Sequence, residues 1–307
     1  MIYFVLRRLA SAVPTLFLVI TISFFLMRAA PGGPFDLERP LPPDIMANLM
    51  KTYQMDQPLW KQYITYVSNA VQGDFGPSFI YKDSTVSQLI AQALPYSIQL
   101  GGTALLIALI GGVILGTIAA LRQNGVIDFT LMSVSTVGIT IPNFVMGPVL
   151  TLIFALMLGW LPAGGWGSGS PYYLTLPITV LALPQIAVIA RLTRGSMIEA
   201  LHTDHIRTAK AYGLPSRVVV VTHALRGALL PVISYLAPAA AALLTGSAVV
   251  ESIFTIPGVG RFFVIGALNR DYPLVMATVV LVAVFVIVFN LLVDIAYGLL
   301  DPRVRHD

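Results

Sequence analysis

His202 and His205 stand three positions apart and can share one helix face, a spacing that metal ligands use. The chain has no cysteine to add a thiolate, and Asp204 falls elsewhere on that face. Local capping and solvated packing are expected there, with no metal. No Gly-x-x-x-x-Gly-Lys-Ser/Thr phosphate loop occurs, nor any Gly-Lys pair, so an ATP site of that type is not expected. His-Glu-x-x-His and Gly-x-Ser-x-Gly are missing too. Without Cys there is no disulfide, thiolate zinc site, iron–sulfur cluster or Cys nucleophile. No catalytic residue is expected.

The other polar groups of interest lie in or beside long apolar runs. Glu251 and Asp294 fall at the ends of such runs, where each either reaches interfacial water or serves a function. Arg28 is expected to snorkel. Asn143, Gln185 and Asn290 lie deeper and are neutral; each either bonds to a neighbouring helix or lines a polar pathway. Pro142, Pro177 and Pro184 remove intrahelical bonds, as passive bends or as kinks around a cavity. Gly112-x-x-x-Gly116 would let two helices approach closely.

These residues need a membrane scaffold to position them. The chain has 307 residues, 57% hydrophobic and only 10% charged; a soluble domain is nearer about a quarter charged. The net charge of +4 is scattered between apolar runs, which does not suit nucleic-acid binding. A bilayer core of about 30 Å takes about 20 apolar residues at about 1.5 Å each. Six runs qualify: 9–28, 97–121, 129–160, 174–190, 228–250 and 273–297. None alternates as a transmembrane strand would. The expectation is an all-α integral membrane protein with six spans. The first run is longer than a signal peptide's apolar stretch of about 7–15 residues, which favours an uncleaved helix. The third reads as one proline-kinked helix, because halves of about 12–13 residues would be too short to cross.

Parity places both termini, the loop around Arg122 and the loop 191–227 on one side, with eleven Lys and Arg; the short loops opposite carry Arg261 and Arg270. The basic side is expected to be cytoplasmic. All four histidines, His202, His205, His223 and His306, then fall there. The domains read as a tail and first span (1–28), an outward helical segment (29–96), a core (97–297) and a cytoplasmic tail (298–307). Within 29–96, Asp44 can cap a turn carrying Ile45, Leu49 and Tyr53. Trp60, Tyr63, Ile64 and Val67 share a face after Pro58. Ser84 can cap a helix with Val86, Leu89, Ile90 and Ala93. This segment is either a cover for the bundle or a platform for a soluble partner.

Loop 191–227 carries a short helix, Asp204 to Tyr212, with Gly213 able to end it in a left-handed cap and Pro215 stopping it. This helix and its stop comprise Asp204, His205, Ile206, Arg207, Thr208, Ala209, Lys210, Ala211, Tyr212, Gly213 and Leu214. On composition alone it is equally a basic loop that fixes topology or attracts anionic lipid.

Arg207-Thr208-Ala209-x-x-x-Gly213, followed by His223-Ala224-Leu225-Arg226, resembles the "EAA" loop of ABC-importer permeases. Arg207 stands in place of the usual glutamate and Thr208 in place of an alanine, as in the peptide/nickel branch. Leu6-Arg7-Arg8 with Pro14-Thr15, and Gly73-Asp74-Phe75-Gly76, resemble that branch. So do Glu251-x-Ile253-Phe254-x-x-Pro257-Gly258-x-Gly260, Arg270-Asp271-Tyr272-Pro273 and Leu300-Asp301-Pro302-Arg303. Pro31-Gly32-Gly33-Pro34-Phe35, Leu41-Pro42-Pro43 and Tyr81-Lys82-Asp83 look most like its oligopeptide members.

The resemblance implies a type I ABC-importer permease fold in a bacterial inner membrane. It implies a second, homologous permease subunit, two ATPase subunits holding ATP and Mg with the coupling helix Asp204–Leu214 docked on them, and an external peptide-binding protein. No cofactor is expected on this chain itself. A dipeptide or nickel permease is the alternative within the branch. An ion-gradient transporter would show an inverted repeat and midplane acids, and neither is visible. A membrane-embedded enzyme would need a convergent catalytic set.

Overall fold

The computed structural model describes residues 2–29, 33, 35, 42–81 and 83–300. The motif positions Pro31, Gly32, Pro34, Leu41 and Lys82, and the tail 301–307, lie outside the described residues.

The chain is helical throughout: α1 Ile2–Ala29, α2 Pro43–Thr52, α3 Leu59–Val71, α4 Val86–Leu121, α5 Val126–Thr140, α6 Asn143–Leu150, α7 Pro171–Leu201, α8 Asp204–Ala211, α9 Ser216–Val218, α10 Leu225–Ala228, α11 Leu230–Ile253, α12 Val259–Leu268 and α13 Tyr272–Leu300. Among the described residues four helices are long and apolar enough to cross a membrane, and up to six spans result if each of two bent pairs counts as one. Large side chains on their outer faces are exposed, Phe17, Ile110 and Phe129 among them. An apolar exterior of this extent needs a lipid or protein covering.

The contact between α4 and α7 is built largely on small residues of α4. Along α4 the positions Leu100, Ala104, Ala108, Gly112, Gly116 and Ala120 recur every fourth residue, and all are buried. This stripe packs on α7. A Cβ on Gly112 would strike Ile189, and one on Gly116 would strike the Ala190 carbonyl and Thr193. The Gly-x-x-x-Gly spacing therefore does permit close approach here, and it is the centre of a longer small-residue ridge.

Several expected boundaries move, each for a local reason. The helix beginning after Ser84 does not stop before the second span; α4 runs 36 residues without a break. Thr85, not Ser84, caps it. Its hydroxyl accepts the Gln88 amide at 3.3 Å, and the Gln88 side chain accepts the Thr85 amide at 3.1 Å. That reciprocal box satisfies two terminal donors. Pro95 is absorbed within the helix.

The third run is not one kinked helix. α5 and the stretch Asn143–Met157 meet at 103° across Ile141 and Pro142. Pro142 lacks an N–H and drives Ile141 to an extended ψ of 117°. Past Leu150 the second half continues as a π-helical turn, Thr151–Met157.

The loop 191–227 shrinks as well. α7 continues through Arg191 to Leu201, and helix resumes at Ser216. A π-helical turn at Val219–Ala224 leads to α10. The stretches Ser216–Ala228 and Leu230–Leu243 meet at 53°, where Pro231 opens α11. α12 forms between Glu251 and α13, where the spacing of the apolar runs predicts only a loop.

In the segment between α1 and α4, Tyr63 and Tyr66 of α3 face α1. The Tyr63 hydroxyl shares a 2.7 Å hydrogen bond with Thr21, and its ring packs on Phe24 and Phe25. Trp60 and Ile64, expected on that same face, are exposed instead. Asp44 sits in the first turn of α2 but does not cap it; Pro42 occupies the cap position.

Candidate functional site

The short helix of the cationic loop is present as α8, from Asp204 to Ala211, with Thr203 before it. Gly213 ends it at φ +75°, its amide bonding to the Lys210 carbonyl, while the Leu214 amide bonds to the Ala209 carbonyl. A left-handed residue is easiest for glycine, and Pro215 then prevents continuation.

Two faces of α8 differ sharply. Ile206 is fully buried and Ala209 nearly so, packed with Ala120 of α4, Met197 of α7, and Val219, Ala224 and Ala228. Thr208 turns its hydroxyl back to the Asp204 carbonyl at 3.0 Å. Arg207 and Asp204 form an exposed ion pair at 3.2 Å, a geometry that adds little stability. Tyr212 is 83% exposed. His202 is bound locally to the Ile198 carbonyl at 2.7 Å, and His205, Lys210 and Ala211 complete the helix. α8 is thus a charged ledge with an aromatic edge, fastened by two apolar side chains to the tips of α4 and α7.

At the bundle's other end, where α4 begins, Glu251 is not near interfacial water. It is fully buried. Its carboxylate accepts the Ser97 hydroxyl at 2.7 Å and the Arg261 amide at 3.1 Å; the Gly260 amide and the Ser247 hydroxyl also reach it. Ser97 in turn accepts the Val259 amide at 2.8 Å. Glu251 and Ser97 therefore supply the N-terminal cap of α12 from α11 and α4, satisfying its first three amides. This arrangement accounts for the Pro257-Gly258-x-Gly260 spacing. A Cβ on Gly258 would strike the Glu251 carboxylate, and one on Gly260 would strike the Ala248 backbone.

Asp271 plays a parallel part for α13. One oxygen accepts the Leu274 amide at 3.2 Å. The other accepts the Ser78 hydroxyl and the amides of Phe79 and Ile80. The Asp271 side chain pins the stretch after Gly76 to the start of α13, beside Tyr272. Arg270, at φ +55°, donates to the Gly33 carbonyl at 3.2 Å.

The remaining polar positions separate. Gln185 is buried and accepts the Tyr235 hydroxyl at 2.9 Å, an interhelical bond between α7 and α11. Asn143 opens α6 at the bend, half-buried. Asn290 is exposed on α13, in a groove with Arg8 and Asp294. Asp294 pairs with Arg8 of α1 at 2.9 Å. Arg28 does not snorkel freely: its guanidinium lies 3.7 Å over the Phe24 ring and its Nε donates to Gln62 at 3.0 Å.

A partly buried ion pair joins α5 to α7. Asp128 of α5 takes Arg194 of α7 in a two-pronged ion pair at 2.5 and 2.6 Å, and also the Asn124 amide. Its sequence signal is a pair of opposite charges just outside two apolar runs, Asp128 before the third and Arg194 after the fourth.

The fold and these sites define a multi-pass helical membrane component. Residues 112–306 match the family "Binding-protein-dependent transport system inner membrane component", and residues 1–101 match "Binding-prot-dependent transport system membrane comp, N-term". The chain belongs to this family of inner-membrane transport components. It is 54% identical over 306 residues to the oligopeptide transport system permease protein OppB of Haemophilus influenzae, and 51% identical to that of Escherichia coli K12, covering all of each chain. It is 45% identical to the dipeptide transport system permease protein DppB of Bacillus subtilis, over 98% of this chain and 97% of the other. A crystal structure of an amino acid ABC transporter with histidines shares the fold, with a TM-score of 0.52 at 17% identity, covering 68% of this chain and 92% of that chain.

Proposed function

We propose that this chain is the permease subunit of an ATP-driven importer that moves oligopeptides across the bacterial inner membrane. Identity of about half over the whole length to oligopeptide permeases carries the reading. The loops with α8 and both termini face the cytoplasm, and the segment 29–96 faces the external binding protein that delivers cargo. A second, homologous permease subunit completes the pathway. Two ATPase subunits hold ATP and Mg and seat on the exposed face of α8.

The lever follows from the packing of α8. A push on Tyr212, Arg207 or Lys210 is transmitted through Ile206 and Ala209 to Ala120 and Met197, at the tips of α4 and α7. ATPases that bind this ledge differently in their open and closed states bias the bundle between two conformations.

Ala209→Pro tests the reading. Proline removes a helix amide and clashes with the preceding turn. The variant inserts into the membrane and loses ATP-dependent uptake of a pentapeptide. Normal uptake, or an ATPase complex that never crosslinks to Tyr212, would refute it. Uptake of dipeptides but not pentapeptides by the unmodified system would assign the chain to the dipeptide branch instead.

A further inference from the structure

We propose that a cavity around Arg28 binds the phosphate of a membrane phospholipid. The cavity holds about 180 Å³ and is lined by Arg28, Gln62, Tyr66, Asn69, Asp74 and Tyr272, among others. One ordered water needs only about 10–15 Å³ of such space, so there is room for a headgroup oxyanion.

The cation is held in place and its fork is left open. Gln62 donates its amide to the Met55 and Gln57 carbonyls at 3.1 and 2.7 Å. Its oxygen is thereby turned toward Arg28 Nε, and Phe24 covers one face of the guanidinium. Among the described residues no acceptor takes the two terminal amino groups of Arg28. A planar guanidinium whose two terminal amino groups remain free matches two oxygens of a phosphate.

Tyr66 lines the same cavity. The Tyr66 hydroxyl is buried and has no hydrogen-bond partner among the described residues. Burial also pushes this phenol up from its ordinary value, which keeps it a neutral O–H donor. Asp74 lines the cavity too, with one oxygen already occupied by the Gly76 amide at 2.9 Å.

Depth selects the source of the phosphate. Arg8 and Arg28 lie on one helix, twenty residues apart, or about 30 Å at the helical rise. That equals the hydrocarbon thickness of a bilayer. The two arginines therefore sit at opposite headgroup layers. Arg28 meets lipid phosphates at the level where its cavity opens, and the site would moor α3 to the membrane face.

The test uses the full-length protein, extracted in mild detergent and titrated with phosphatidylglycerol, with lipid adducts followed by native mass spectrometry. Wild type binds one lipid ahead of all others. Arg28→Gln weakens that first event about tenfold, the worth of a charged hydrogen bond. Tyr66→Phe weakens it several-fold with the fold intact, and Arg28→Lys falls between Arg28→Gln and wild type. Unchanged binding in both Arg28→Gln and Tyr66→Phe would overturn the proposal. Arg28-dependent binding of inorganic phosphate that leaves lipid binding untouched would overturn the lipid source.

Discussion

Ser97 and Glu251 are 154 positions apart, yet the serine hydroxyl donates to the carboxylate at 2.7 Å and the two together close the first turn of α12. Glu251→Ala leaves the Gly260 and Arg261 amides and the Ser97 hydroxyl without their acceptor. Each buried orphan costs about 1–3 kcal/mol, so the unfolding midpoint in detergent should fall steeply. Glu251→Gln keeps one acceptor oxygen and should fall less. A midpoint unchanged in Glu251→Ala would show that the carboxylate does not hold this helix.

Asp271→Ala should release the stretch Ser78–Ile80 without unfolding the bundle. Hydrogen exchange at the Phe79 and Ile80 amides, both of which bond to Asp271, should speed up by at least about tenfold, consistent with loss of about 1.5–3 kcal/mol of charged hydrogen bonding. Exchange there at the wild-type rate would contradict the contact.

Gly116→Val should destabilise the α4–α7 contact by about 1–3 kcal/mol, the usual cost of overpacking. The obstruction includes the Ala190 carbonyl, which is backbone and cannot rotate away. Gly101→Ala, where open space surrounds the added methyl, should leave the thermal midpoint unchanged. Equal behaviour of the two variants would remove the argument.

Asp128→Ala strands Arg194, whose side chain keeps 28% exposure. That exposure discounts the penalty for a broken buried pair to about 1–3 kcal/mol. Asp128→Leu combined with Arg194→Met should recover most of the loss in thermal unfolding. Failure of the double variant to recover would mean that the pair does more than satisfy itself.

Ile206→Ala and Tyr212→Ala should separate stability from transport. Ile206 is fully buried, and its truncation should cost about 2–5 kcal/mol. Tyr212 is 83% exposed, so its truncation should change stability by no more than about 0.5 kcal/mol while lowering peptide uptake. Wild-type uptake in Tyr212→Ala would exclude the aromatic edge from ATPase docking.

The apolar runs were legible because a span of about 20 residues leaves an unmistakable compositional trace. α8 was legible because Gly213 and Pro215 punctuate it. The 103° bend was not, although its cause stood in the sequence: Pro142 restricts Ile141 as well as itself, which favours a break over a kink. The continuation of α7 past Arg191 was hidden because charges read as loop, whereas Arg194 is matched by Asp128 across the interface. Glu251 was misplaced because its partners, Ser97 and the amides of the α12 first turn, come together only in three dimensions. The ridge Ala104, Ala108, Gly112, Gly116, Ala120 was readable throughout, and only its middle was noticed.

Helix α4 spans 36 residues, about 54 Å at the helical rise, against a bilayer core of about 30 Å. At one end Thr85, Ser87 and Ser97 gather the neighbouring turns, while its far tip, at Ala120, rests on the α8 ledge. One continuous helix thus joins the Ser97–Glu251 cap to the α8 ledge. Only Pro95 interrupts its hydrogen bonding, so a displacement at one end is carried to the other within a single element.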